Sequence, residues 1–203
     1  MKIGILGMQG AIEEHEAMLS SLGVESIRVK KPSQLEEVDG LIFPGGESTT
    51  MIKLINFTGL KEPLIEYIAR KKMPVFGTCA GMILLSKSID NYTAQETLDL
   101  IDVEVRRNAF GRQIDSFEEE LVVEGIEGEP VKAVFIRAPI IDHAGEEVEI
   151  LAKHEEKIVM ARYENILVSS FHPEITEDKR IHEYFLGMVK EWQESQKSEA
   201  ECC

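Results

Sequence analysis

The sequence predicts an α/β fold: a doubly wound, mostly parallel central sheet with a small antiparallel extension. Three observations carry this. From Lys2 to Leu85, strand-like and helix-like stretches alternate as β-α-β-β-α-β-α, the order produced when helices cross over between parallel strands. The opening strand of that half, Lys2 to Leu6, is almost continuously apolar, as parallel strands covered on both faces are. From Val131 to Ser170 short strands instead recur at close spacing, which marks an antiparallel layer returning to the main sheet.

Composition bounds the function. The chain has 203 residues, 43% of them hydrophobic, enough for one domain with a sizeable core. We expect a single domain over 1–194 and a polar C-terminal tail over 195–203. Net charge is −15, from 37 acidic and 22 basic residues, which argues against a nucleic-acid backbone as partner. No apolar run approaches the ~20 residues of a membrane span, and Met1–Gly7 has no small-residue cleavage site, so a cytoplasmic protein is expected. The cysteines are Cys79, Cys202 and Cys203; they form neither a disulfide framework nor a metal-ligand spacing.

The first strand, Lys2 to Leu6, ends at Gly7-Met8-Gln9-Gly10, without the glycine spacing of a dinucleotide site. A helix follows from Ala11 to Leu22 and stops at Gly23. A strand at Ser26–Lys30 and a short polar segment at Ser33–Val38 lead to a buried strand, Gly40–Phe43. This runs into Pro44-Gly45-Gly46-Glu47-Ser48-Thr49-Thr50, where Ser and Thr suggest a helix cap. The paired glycines are either a tight turn or a place where backbone N–H groups face an anion. Helices are expected at Thr49–Asn56 and Leu60–Lys72.

Pro74-Val75-Phe76 then leads into Gly77-Thr78-Cys79-Ala80-Gly81, and Met82-Ile83-Leu84-Leu85 follows. Small-x-Cys-x-small between a strand and a helix is a nucleophile elbow with cysteine in place of serine. The glycines are needed because neighbouring backbone passes close to the turn. A sulfur at a helix N-terminus is favoured as thiolate, although a buried Cys is also an ordinary small hydrophobe.

Leu98–Val105 reads as a strand and leads into Arg106-Arg107-Asn108-Ala109-Phe110-Gly111-Arg112-Gln113. Its arginines are either solvated or an anion-binding group. Glu118-Glu119-Glu120 reads as a solvated face or loop. Strands are expected at Val131–Ile136, Val148–Ala152, Ile158–Arg162 and Ile166–Ser170, with Arg137 just past one strand end. Next comes Phe171-His172-Pro173-Glu174. Pro173 keeps the chain extended, so His172 and Glu174 point the same way, and the carboxylate can orient the imidazole. Thr176 is a candidate cap for a last helix, Glu177–Gln193. His15, His143, His154 and His182 show no such partner pattern.

Together these supply a nucleophile (Cys79), a general base and acid (His172), an orienting carboxylate (Glu174) and two oxyanion donors, the N–H groups of Gly46 and Ala80. The chemistry is acyl transfer through a thioester. The elbow and His172-Pro173-Glu174 resemble class I glutamine amidotransferases. The ordered set Met8–Gly10, Pro44–Thr50, Gly77–Met82, Arg107–Gln113, Phe135–Pro139 and Phe171–Glu174 resembles the glutaminase subunits of two-subunit pyridoxal 5′-phosphate synthases over about Met1 to Phe185. The resemblance implies a three-layer α/β/α fold and a Cys79-His172-Glu174 triad. It implies glutamine contacts at Gly46, Glu47, Ser48, Arg107, Ile136 and Arg137, with Gln9 near the oxyanion site. It also implies ammonia transfer to a synthase subunit in a hetero-oligomer, with no cofactor and no metal. Two other readings stay open. A glutaminase serving another biosynthetic enzyme would share the triad but lack the Arg107–Gln113 stretch. A non-catalytic α/β binding module would not need Cys, His and Glu together.

Overall fold

The computed structural model describes residues 1–110 and 116–201. Gly111, Arg112, Gln113, Cys202 and Cys203 lie outside the described residues. The elements in order are β1 (Lys2–Leu6), α1 (Ile12–Ser21), β2 (Glu25–Val29), a 3-10 turn (Pro32–Glu37), β3 (Gly40–Phe43), α2 (Ser48–Phe57) and α3 (Lys61–Ile65), which continues as a π-helical turn to Arg70. Next are β4 (Val75–Thr78), α4 (Ala80–Leu85), β5 (Ser86–Ile89), β6 (Ile101–Arg106), β7 (Ser116–Leu121), β8 (Val131–Ile136) and β9 (Ile140–Ala144). The chain ends with β10 (Glu149–His154), β11 (Lys157–Tyr163), β12 (Ile166–Ser169), a 3-10 turn (Pro173–Ile175) and α5 (Arg180–Glu201).

The main sheet runs β2-β1-β3-β4-β12-β11-β9-β6-β5, with β10 on β11. Its first five strands are mutually parallel, and the β12–β11, β11–β9 and β9–β6 pairings are antiparallel. β7 and β8 form a separate antiparallel pair. Alternation along the parallel strands creates two cores. Ile3, Ile5, Ile42, Phe76 and Leu167 pack with Leu19 of α1 and Phe185 and Val189 of α5. Leu6, Leu41, Phe43, Val75 and Val168 pack with Met51 and Ile55 of α2, Leu64 of α3 and Leu84 and Leu85 of α4. The period of two therefore sorts helices onto both faces and gives the three layers. Each fully buried side chain of this kind contributes about 1.5–3 kcal/mol.

Three strands go beyond the sequence reading. The helix after the elbow ends at Leu85 and passes directly into β5. β9 follows Pro139. β7 carries Glu118, Glu119 and Glu120 exposed on a strand rather than a loop. β7 is held by Phe117, which stacks on its cross-strand partner Phe135 at 4.6 Å, a pairing that outweighs three poor strand formers. The last helix begins at Arg180, not Glu177. Thr176 Oγ1 accepts the Asp178 N–H at 3.2 Å, and Asp178 Oδ1 accepts the Arg180 N–H at 3.0 Å, so the cap is one step downstream. The helix runs past Gln193 to Glu201, through residues of good helix propensity. Trp192 anchors it by donating Nε1–H to the Lys71 carbonyl at 3.0 Å. Among the described residues no helix is long and apolar enough to cross a membrane.

Candidate active site

In a parallel sheet the carboxyl ends of neighbouring strands lie along one edge. Here β1, β3, β4 and β12 are neighbours, so the loops after Leu6, Phe43, Thr78 and Ser169 meet. At the centre is the elbow. Cys79 has φ +48° and ψ −100° and stands immediately before α4, a conformation that an L-residue keeps only when its surroundings enforce it. Its N–H donates to the Ser169 carbonyl at 2.8 Å. A Cβ at Gly77 would sit 2.7 Å from Leu85 Cδ1, and one at Gly81 would overlap the Phe43 carbonyl oxygen. Both flanking positions therefore require glycine.

His172 and Glu174 follow β12. His172 Nδ1 is 2.7 Å from Glu174 Oε1, which leaves Nε2 for the Cys79 side. The His172 ring lies against Gly45, where a Cβ would overlap it. Both side chains are buried. Burial opposes charge on His172, but contacts with Cys79 and Glu174 push it up to about 10, so the imidazolium is the stable form at neutral pH. Burial likewise works to raise Glu174; His15 and His172 beside it hold the carboxyl below its usual range.

The cavity has a volume of about 390 Å³. It is lined by Gln9, Gly46, Glu47, Ser48, Cys79, Ala80, Arg107, Ile136, Arg137 and His172, among others. Every site residue expected from sequence thus reaches it except Glu174, which stands behind His172. Gln9 Oε1 accepts the Glu47 N–H at 2.8 Å, and the Gly45 carbonyl accepts the Ala11 N–H at 3.0 Å. These bonds lock the first loop to the Gly45–Gly46 turn. Glu47, not Ser or Thr, caps α2: its carboxylate accepts the Thr49 N–H at 3.2 Å and hydroxyl at 2.7 Å. The Thr49 bonds, with Arg107 and Arg137 nearby, hold Glu47 below the usual carboxylate range. Arg107 Nη2 is 3.4 Å from Glu47 Oε1. The end of β8 also reaches the cavity, through Ile136 and Arg137 just after it. The His172 N–H donates to the Val134 carbonyl at 2.8 Å, and the Ile136 carbonyl is 4.0 Å from Cys79 Sγ.

Four residues escaped the sequence reading. Gln95 Oε1 accepts the Ser48 hydroxyl at 3.0 Å and faces Arg107 Nη1 at 3.4 Å, so it holds two lining residues together. Thr78 Oγ1 accepts the Gly45 N–H at 3.0 Å. His15 and His182, set aside from sequence, lie buried behind Glu174 and hydrogen-bond each other at 3.0 Å. Only Thr78, adjacent to Cys79, carried a positional signal. Among the described residues no cluster of three or more His, Cys, Asp or Glu is placed to hold a metal ion.

Comparison with known proteins adds independent findings. The model of the SNO glutamine amidotransferase family matches residues 5–191. The pyridoxal 5′-phosphate synthase subunit PdxT of Carboxydothermus hydrogenoformans is 56% identical over 93% of this chain and 98% of its own length. PdxT of Thermosipho africanus is 55% identical over 94% of this chain and all of its own length. A crystal structure of a glutamine amidotransferase superposes with TM-score 0.89 at 45% identity, covering 93% of this chain and 98% of that one. By sequence and by fold, the chain belongs to the SNO glutamine amidotransferase family.

Proposed function

We propose that the chain is the glutaminase component of a pyridoxal 5′-phosphate synthase. It hydrolyses L-glutamine to L-glutamate and ammonia and passes the ammonia to a synthase subunit in a hetero-oligomer. The observation that carries the chemistry is Cys79 at positive φ sharing a cavity with His172, whose far nitrogen is fixed by buried Glu174.

Cys79 Sγ adds to the side-chain amide carbon of glutamine. Oxyanion charge is taken up by the N–H groups of Ala80 and Gly46. As the tetrahedral intermediate collapses, the C–N bond breaks. His172 gives its Nε2 proton to the leaving nitrogen, releasing ammonia and a γ-glutamyl thioester. Water then attacks the thioester carbon and gives a proton to His172; the C–S bond breaks, yielding glutamate and regenerated Cys79. Glu174 holds His172 in orientation and stabilises its charge. At the rim, Glu47 suits the α-ammonium of glutamine, and Arg107 and Arg137 suit its α-carboxylate. Gln9 holds the oxyanion turn through the Glu47 N–H. Ile136 closes the wall facing the sulfur, and Ser48 contributes backbone.

The assignment to pyridoxal 5′-phosphate synthesis is supported by the PdxT relatives and by the Arg107–Gln113 motif. The test is ammonia release from glutamine by the purified chain, with and without the synthase subunit, beside a Cys79→Ala control. Strong stimulation that the control lacks is expected. Activity indifferent to the partner would keep the glutaminase and sink the pathway. No activity in either condition would sink both.

A further inference from the structure

We propose that His15, held from behind by His182, is a positioning residue for this reaction: its Nε2–H donates to the Thr78 hydroxyl and stands beside the Glu174 carboxylate, tying α1 to the elbow and the Gly45–Gly46 turn while backing the acid. The inference rests on the glutaminase reading and deepens it.

The geometry is a continuous polar line through the core. His15 Nε2 is 3.7 Å from Glu174 Oε1 and 3.3 Å from Thr78 Oγ1. His15 Nδ1 is 3.0 Å from His182 Nε2. Both rings are fully buried, and both meet Phe76 at an edge-to-face angle. Thr78 directly precedes Cys79 and also accepts the Gly45 N–H at 3.0 Å. One imidazole therefore touches the support of the nucleophile, of the oxyanion turn and of the triad acid.

The proton positions follow from what surrounds the rings. His182 Nδ1 is buried without a hydrogen-bond partner. A bare nitrogen is tolerated there better than an orphaned N–H. The His182 proton then sits on Nε2 and points at His15 Nδ1, so the His15 proton sits on Nε2, within hydrogen-bond distance of Thr78 Oγ1 and on the side of the carboxylate. The opposite arrangement would set a lone pair against Glu174. The charged and titratable groups facing His15 are Glu174 and His172 beyond β12, His182 on α5 and Glu14 on its own helix. Burial lowers both imidazoles, His182 to about 3, so His15 faces Glu174 as a neutral ring with its N–H side toward the carboxylate. Two buried imidazoles with an unpartnered nitrogen cost stability that an apolar pair would not. Such strain persists where function uses it.

Three substitutions separate the roles. His15→Leu removes both polar contacts. His15→Asn keeps a group near the Nδ1 position, facing His182, and removes the one facing Glu174. His15→Gln returns an amide N–H near the Nε2 position. Ammonia release is measured across pH in assembly with the synthase subunit, with the wild type alongside. Leu and Asn are expected to lower kcat about tenfold, the loss of the hydrogen bond to Thr78 and of the polar contact beside Glu174, with little change in KM. Their acid limb should move up, because Glu174 loses a polar neighbour that favours its ionised form. Gln should recover most of both. Wild-type kcat and acid limb in the Leu and Asn variants, or a Gln variant no better than Asn, would overturn the proposal. A lowered melting temperature with unchanged kinetics would overturn it too. If Leu does not fold, the Asn–Gln comparison decides. An inactive wild type would instead overturn the glutaminase reading.

Discussion

Replacing Glu174 by Gln keeps the shape of the triad acid and removes its charge. His172 is pushed up to about 10 against the opposition of burial. That lies about 3.5 pH units above an ordinary histidine, or roughly 5 kcal/mol of preference for the charged ring. Cys79 and Glu174 share this preference. Removing one opposite charge at hydrogen-bond distance lowers such a value by about 1–3 units, so the variant ring should titrate near pH 8. NMR titration of the His172 ring reads this directly, and the basic limb of kcat should fall with it. At neutral pH kcat should fall about a hundredfold or more, since the amide neither fixes the ring nor stabilises the imidazolium. Stability supplies a second readout. A folded-state value raised above the unfolded one stabilises the protein fully below about pH 6.5, and that stabilisation is lost as pH rises through the folded value. Wild-type melting temperature should therefore decline between about pH 6.5 and 10, and the variant should complete its smaller decline near pH 8. A ring titration unchanged by the substitution, or near-normal kcat, would refute the assigned role of Glu174.

The rim and the elbow give three further outcomes. Arg107→Ala should raise KM for glutamine about tenfold and leave kcat near wild type, by steady-state kinetics; a loss confined to kcat would contradict a binding role. Cys79→Gly should melt about 2–4 °C above Cys79→Ala, because glycine relieves about 1 kcal/mol of strain at φ +48°. Equal melting temperatures would show that the turn is unstrained. Gly81→Ala should cost about 3 kcal/mol in denaturant unfolding, because its Cβ meets the Phe43 carbonyl rather than a flexible side chain. A cost below about 0.5 kcal/mol would mean that β3 yields.

The parallel half of the fold was legible because β1, β3 and β4 are apolar runs that lead into glycine-bearing loops, as at Leu6–Gly7 and Phe43–Gly45. The site followed from the same loops, since parallel strands bring their carboxyl ends together. β5, β7 and β9 were not legible for separate reasons. β5 continues directly from a helix. β7 is made by one cross-strand Phe pair beneath a run of glutamates. β9 offers only two apolar residues after a proline. His15 and His182 stand 167 residues apart, and their pairing exists only once α1 and α5 pack on the same face of the sheet. Gln95 lies in an irregular loop, where no periodicity marks the residue that turns inward toward Ser48.

The central claim is that Cys79 is the nucleophile toward a glutamine amide. The most direct measurement is intact mass and peptide mapping after exposure to a glutamine analogue with an electrophilic carbon in place of the side-chain amide. The account predicts one adduct, on Cys79, suppressed by excess glutamine and absent in the Cys79→Ala and His172→Ala proteins. An unmodified Cys79, or labelling confined to Cys202 and Cys203 and indifferent to glutamine, would contradict it.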